Sequence, residues 1–149
     1  MENIVRHLPG VTSNDRRPPE SVRLLRRGSA IRSLDDAPRQ GDEGGSRARI
    51  EIVESAFEAL EGIAVGDDLL LLTWLHRGDR AVLRVHPRGD TTRPLAGVFA
   101  TRSPDRPNPI GLHRVRVLRI DRGVLEVAPL EAIDGTPVVD IKPVLADER

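Results

Sequence analysis

Sixteen residues, Gly97 to Leu112, constrain this chain more than any other stretch: Gly-Val-Phe-Ala-Thr-Arg-Ser-Pro-Asp-Arg-Pro-Asn-Pro-Ile-Gly-Leu, with three of the twelve prolines inside six positions. Each proline fixes its own φ and pushes the residue before it toward extended geometry, which keeps Ser103, Arg106 and Asn108 out of the helical region. No helix runs through such a segment. Val98, Phe99, Ile110 and Leu112 supply apolar anchors at its two ends, and a serine, a threonine, an asparagine and two arginines are carried between them. Polar groups pre-set between buried anchors suit a binding loop, because little conformational entropy is left to lose when a ligand arrives. The same residue types also suit a rigid connector between strands with its arginines solvated.

The length of 149 residues and hydrophobic content of 38% fit one domain with one core. Twenty-three basic and 23 acidic residues cancel, so the molecule as a whole presents no net field to a polyanion. Lys142 is the one lysine, and the other basic residues are all arginine, the cation that makes bidentate contacts to phosphate and carboxylate. There is no cysteine, which excludes disulfides, thiolate zinc sites and thiol nucleophiles. The longest apolar run, Leu69 to Leu75, is far shorter than the roughly 20 residues that span a bilayer, and the N-terminus lacks a signal-peptide core. A cytoplasmic protein is expected. With Phe57, Phe99 and Trp74 as the only aromatics, a stacking platform for unpaired bases is not expected.

Residues 1–21 have no apolar periodicity and read as a disordered tail. From Val22 to Leu34 apolar residues interleave with arginines, consistent with one or two short strands broken at Gly28. Residues 35–48 read as an exposed loop containing the turn-like Pro38-Arg39-Gln40-Gly41. Glu54 to Gly62 is a short helix with Ala56, Phe57 and Leu60 on one face and Gly62 as its C-cap. Asp67 to His76 is a continuous apolar run of strand length, which predicts burial on both faces. His76 closes it, either as a polar terminus or as a ligand contact. Arg80 to His86 alternates as a strand, and Asp121-Arg122-Gly123 is a hairpin turn between strands Arg114 to Ile120 and Val124 to Ala128. Asp134-Gly135-Thr136-Pro137 is a turn that opens a further strand. Short strands, tight turns and one small helix predict a mainly β single domain over 22–149, closed as a small barrel because closure removes exposed edges.

Three of these segments together resemble the TsaA-like family of S-adenosylmethionine-dependent transfer-RNA methyltransferases. They are the sixteen-residue string, Pro38-Arg39-Gln40 ahead of Ile50-Glu51-Ile52, and Asp134-Gly135-Thr136-Pro137-Val138-Val139-Asp140-Ile141-Lys142-Pro143. The resemblance covers about Val22 to Leu145. It implies a small β-barrel, a homodimer, S-adenosylmethionine as cofactor, and cofactor contacts at Pro38, Arg39, Gln40, His76, Arg77, Arg102, Leu112, Asp134, Gly135, Thr136 and Pro137. It singles out no catalytic residue. By the chemistry of each group, Arg39 or Arg102 pairs with the methionine carboxylate through a bidentate fork, Asp134 accepts from the ribose hydroxyls or the amino group, and Leu112 with the Gly135 backbone walls the adenine. Two positions depart from the family: His113 follows Ile-Gly-Leu in place of serine, and Val144 follows Ile-Lys-Pro in place of tyrosine. The chain stops soon after Lys142-Pro143, without the additional C-terminal region of longer members.

Competing sites find no support in the sequence. There is no Gly-x-Gly-x-x-Gly after a strand, no phosphate loop and no Gly-x-Ser-x-Gly elbow, and His7, His76, His86 and His113 lack metal-ligand spacing. Methyl transfer needs chiefly the alignment of acceptor, methyl and sulfur, so it is compatible with a chain that carries no strong nucleophile. The family activity is methylation of the N6 amine of N6-threonylcarbamoyladenosine in transfer RNA. Arg77, Arg84, Arg88, Arg93 and Arg106 either steer that anionic acceptor or form a solvated rim. Two further functions stay open: methylation of a small metabolite, and a non-catalytic ligand-binding or interaction module.

Overall fold

The computed structural model describes residues 46–148. The expected tail at 1–21, the strands from Val22 and the segment holding Pro38, Arg39 and Gln40 lie outside the described residues. Seven strands carry the fold: β1 (Ser46–Glu51), β2 (Asp68–Trp74), β3 (Arg84–Val85), β4 (Ala96–Gly97), β5 (Ile110–Asp121), β6 (Val124–Leu130) and β7 (Val138–Pro143). Five of them form one sheet in the order β1-β6-β5-β2-β7, while β3 and β4 make a separate two-stranded ribbon. Every pairing is antiparallel. Among the described residues β1 and β7 are the sheet edges and no pairing joins them, so the expected closure into a barrel is not seen there.

Alternation explains the core. On β2 the burial alternates, with Leu69, Leu71 and Thr73 buried and Leu70 and Leu72 half-buried. Register places Leu69 opposite Val115, Leu71 opposite His113 and Thr73 opposite Gly111. Val115 and Val117 of β5, Leu125 and Val127 of β6, and Ala48 and Ile50 of β1 continue the same buried face. The continuous apolar run predicted burial on both faces of β2; its outer face is only half-covered. That face is flanked across the strands by Arg114 and Lys142, the register partners of Leu70, and long side chains with aliphatic stems shield an apolar neighbour only in part.

The expected helix is present as a 3-10 helix, Glu54–Leu60. Its i→i+3 bonds include Ala56 N–H to the Val53 carbonyl at 2.8 Å and Glu61 N–H to the Glu58 carbonyl at 3.1 Å. Ala56 and Leu60 pack against the core, but Phe57 is 39% exposed. Its ring occupies the space that a side chain on Gly123 would need. A stretch this short gains little from α-helical propagation, and placing Phe57 over the β5–β6 turn fixes it instead. The strand predicted over Arg80 to His86 shrinks to Arg84–Val85. Asp79 Oδ1 accepts from the Ala81 N–H at 2.9 Å, an Asx turn that bends the chain where a strand would have begun. The hairpin turn appears as read, with Arg122 at φ 41° and Gly123 at φ 79°, the paired left-handed geometry that tight hairpins favour. Among the described residues, no helix is long and apolar enough to cross a membrane.

Candidate cofactor site at the end of strand β2

Strand β2 lies between β5 and β7, so its C-terminal end is where the two motif-bearing segments meet. On one side Thr73 and Trp74 are in register with Gly111 and Ile110, and the Leu75 N–H donates to the Pro109 carbonyl at 2.7 Å. On the other, Thr73 is in register with Val138 and the Trp74 N–H donates to the Pro137 carbonyl at 2.9 Å. Between Leu72 and Thr73 the β7 register shifts by one residue. A bulge of this kind re-aims the chain locally, here at the mouth of the Asp134–Pro137 turn. That turn is closed by the Thr136 N–H to the Ile133 carbonyl at 3.0 Å, and Gly135 sits at φ 82°, open to solvent.

Past Trp74 the chain folds sharply, with the Gly78 N–H donating to the Leu75 carbonyl at 2.8 Å. This turn is docked on the proline-rich loop. The Asp79 N–H donates to Asp105 Oδ1 at 2.8 Å, and Arg80 Nε donates to the Pro107 carbonyl at 2.8 Å. A Cβ on Gly78 would stand 2.5 Å from the Pro104 carbonyl oxygen. The Arg80 guanidinium also lies 5.7 Å from the centroid of the buried Trp74 ring, within cation–π range.

The loop is held by itself as well. Thr101 Oγ1 donates to the Val98 carbonyl at 2.9 Å, the Ser103 N–H donates to Thr101 Oγ1 at 3.2 Å, and the Asp105 N–H to Ser103 Oγ at 3.3 Å. Arg106 turns inward, half-buried, and donates Nη2 to the Val98 carbonyl and, at 2.6 Å, to the Thr101 carbonyl. This corrects both readings of Arg106, as a residue that steers the acceptor and as part of a solvated rim: its guanidinium fastens the loop.

Seven of the expected contact residues therefore lie at one end of the sheet: His76, Arg77, Leu112 and the turn Asp134, Gly135, Thr136 and Pro137. Arg102 is carried by the proline-rich loop. Arg77 and Arg102 are exposed and make no hydrogen bond or ion pair among the described residues. Leu112, 45% exposed, stands opposite Leu72 on the outer face of the sheet, with Asp140 on the far side of Leu72.

Thr73, which the sequence reading passed over, and His113, noted there only as a departure from the family, complete the end of the sheet. Thr73, 1% exposed, and His113 form a hydrogen bond, Oγ1 to Nε2 at 2.8 Å. The bond crosses Gly111, where a Cβ would meet Thr73 Oγ1 and stand 2.7 Å from His113 Nε2. Serine at position 113 is too short to span that gap. Burial holds the His113 pKa down from 6.5 to about 4, so the ring is neutral at physiological pH. The visible signals were a polar Thr73 inside the run Leu69 to Leu75 and the histidine standing in place of serine at 113. On the outer face, Asp68 accepts from Arg116 at 2.8 Å and Arg114 at 3.1 Å, and these hydrogen bonds lower its pKa to about 2.

A mainly antiparallel sheet with a proline-braced loop and an Asp-Gly-Thr-Pro turn at the same end defines a recognisable class. The chain belongs to the family of tRNA-methyltransferase O N-terminal domains, whose model matches residues 28–148. Relatives include a probable S-adenosyl-L-methionine-binding protein of Methanothermobacter thermautotrophicus, 42% identical over 119 residues, covering 80% of this chain and 85% of that one. An S-adenosyl-L-methionine-binding protein of Archaeoglobus fulgidus is 42% identical over 114 residues, covering 76% of this chain and 81% of the relative. Among solved structures, a TrmO superposes with TM-score 0.60 at 35% identity over 81% of this chain and 57% of its own. TrmO of Pseudomonas aeruginosa gives TM-score 0.59 at 30% identity, covering 85% of this chain and 58% of its own. The chain thus spans a little over half the length of those TrmO structures.

Proposed function

We propose that this chain is an S-adenosylmethionine-dependent methyltransferase that holds its cofactor at the end of β2, and that its acceptor is the N6 amine of N6-threonylcarbamoyladenosine in transfer RNA. The observation that carries the reading is the convergence of the two motif segments on either side of β2. The Pro109 and Pro137 carbonyls accept from the adjacent Leu75 and Trp74 amides.

The groups present suit such a cofactor. Arg102 and Arg77, exposed and without an ion pair among the described residues, match a carboxylate through bidentate hydrogen bonds. Asp134 matches ribose hydroxyls or an ammonium. Leu112 and the open backbone at Gly135 offer an apolar wall with hydrogen-bonding edges for an adenine. Thr136, Pro137 and His76 complete the rim, and Pro38, Arg39 and Gln40 are assigned to the same site by their motif alone. Bound S-adenosylmethionine supplies a methyl group already activated by its sulfonium. The residues of this chain then bind, orient and exclude water, and no side chain is required as a nucleophile. The rigidity of the loop serves that end, because a positioned reaction loses rate steeply with small misplacement.

A homodimer belongs to the same proposal. Ile110 and Leu112 on the outer sheet face are 46% and 45% exposed, more apolar surface than a solvated edge needs. A second reading, a binding module without catalysis, draws on the relatives in which this chain covers most of the length and whose names state only S-adenosyl-L-methionine binding. Mass spectrometry of transfer-RNA nucleosides from cells with and without this protein separates the two. Loss of an N6-methylated threonylcarbamoyladenosine in the deletion is the expected result. An unchanged nucleoside profile with a purified protein that still binds the cofactor overturns the transfer-RNA acceptor and leaves the binding module or a methyltransferase of a small metabolite.

A further inference from the structure

We propose that the ribbon of β3 and β4, with the turn joining them, grips the phosphate backbone of an RNA through Arg84, Arg88 and Arg93. The inference rests on the reading of the acceptor as RNA and assigns the surface that holds it.

The chain is neutral as a whole, but its charge is not evenly spread. Residues 77–106 hold seven arginines against three aspartates and no glutamate. Those residues form one connected lobe at the site end of the sheet. The turn after β2 is bonded to the proline-rich loop through Asp105 and Pro107, and the Val98 N–H donates to the Leu83 carbonyl at 3.0 Å, joining ribbon to loop. At physiological salt the Debye length is about 8 Å, so an approaching phosphate senses the lobe and not the compensating acidic residues on the rest of the sheet.

Charge balance separates the lobe from the remaining described surface, where acidic residues outnumber basic ones. On the sheet, Arg47, Arg114, Arg116, Arg119 and Lys142 each meet a carboxylate. Arg84 meets none among the described residues; its one hydrogen bond is a long 3.4 Å contact to the Leu95 carbonyl. Arg93 has an exposed 3.4 Å ion pair with Asp90, the same length as that of Arg47 with Glu126. Arg122 and Arg49 are also without an ion pair among the described residues, but Arg122 lies at the opposite end of β5 and Arg49 on edge strand β1. Arg88 stands at the ribbon turn with φ 58°. A left-handed backbone costs a side-chain-bearing residue about 1 kcal/mol, yet a long cation is kept there. The lobe also exposes Leu83, Leu95 and Phe99 at 65, 45 and 81%; this is no stacking platform, but the Phe99 ring offers a face to a single unpaired base beside the gripped phosphates. Arg106, bonded inward, takes no part.

The test is binding of an unmodified transfer-RNA transcript over a range of salt, with the R84A/R88A/R93A variant and R122A as the distant control. Wild type is expected to show a steep log–log salt dependence. The triple variant is expected to lower the slope by about 2 to 3 and to weaken binding roughly ten- to a hundredfold near 0.1 M salt. R122A keeps the wild-type slope, and all three proteins keep the same affinity for S-adenosylmethionine, which shows that they are folded. A triple variant that retains the wild-type slope, or an R122A that loses as much, overturns the ribbon while leaving an RNA acceptor in place. A wild type with no salt-dependent RNA affinity overturns both. If the triple variant changes sedimentation while RNA binding is unaltered, the ribbon is a self-association surface and the proposal is wrong.

Discussion

Gly78 is a residue whose importance no residue type announces. A methyl group there would stand 2.5 Å from a backbone carbonyl of the proline-braced loop, and neither partner is a flexible side-chain end. Gly78→Ala is expected to destabilise the protein by roughly 1–3 kcal/mol, read by urea denaturation. His113 makes a prediction about pH. Above its ordinary pKa of 6.5 the ring is neutral whether the chain is folded or not, and it contributes no pH dependence. Below that, the unfolded chain takes up a proton that the folded ring refuses until about pH 4. Stability therefore falls as pH drops through this window, by an amount on the order of 3 kcal/mol. Asp68, with its pKa lowered to about 2, holds its contribution above pH 3.8 and loses it only below, so the two windows separate. Denaturation midpoints between pH 7 and 4 should fall in wild type and flatten in His113→Ser, and parallel curves would contradict this assignment. For the cofactor, Arg102→Ala is expected to weaken S-adenosylmethionine at least tenfold by calorimetry; unchanged affinity removes Arg102 from the site. The bracing of the loop by proline was legible in the sequence, because proline acts locally. The inward turn of Arg106 was not, because its acceptors are carbonyls placed by the fold.

At the level of elements, the turns were the most legible. Asp121-Arg122-Gly123 and Asp134-Gly135 declare themselves through residues that tolerate left-handed geometry, and both glycines have positive φ. Strand extents were less so. The seven-residue alternation from Arg80 yields a two-residue strand because Asp79 bends the chain, and β2 is half-covered on a face its sequence would bury. The first is decided by a local turn that the alternation conceals, the second by cross-strand neighbours distant in sequence. Phe57 makes the same point, since it reads as a core residue and serves as the cover of a hairpin. This predicts an order of effects. Gly62→Ala meets open space at φ 92° and is expected to cost about 1 kcal/mol. Gly123→Ala must also displace the Phe57 ring and is expected to cost about 2–4 kcal/mol. Equal losses in parallel urea titrations would show that Phe57 does not hold that turn.

For the molecule as a whole, composition was informative about what the chain is not and misleading about where its charge lies. Net neutrality argued against a polyanion, but residues 77–106 alone carry seven arginines against three aspartates, an imbalance that the whole-chain sum hides. Barrel closure followed from the need to protect edges, yet the described sheet keeps two, β1 and β7. The family resemblance implied that two segments some twenty residues apart share one site, and the fold sets them on the flanks of one central strand. The most direct test of that account is calorimetric titration of S-adenosylmethionine into the wild-type protein and into Asp134→Ala and Leu112→Asp, one from each segment. The account predicts saturable binding by wild type and at least a tenfold loss in both variants. No binding by wild type, or wild-type affinity in both variants, would contradict it.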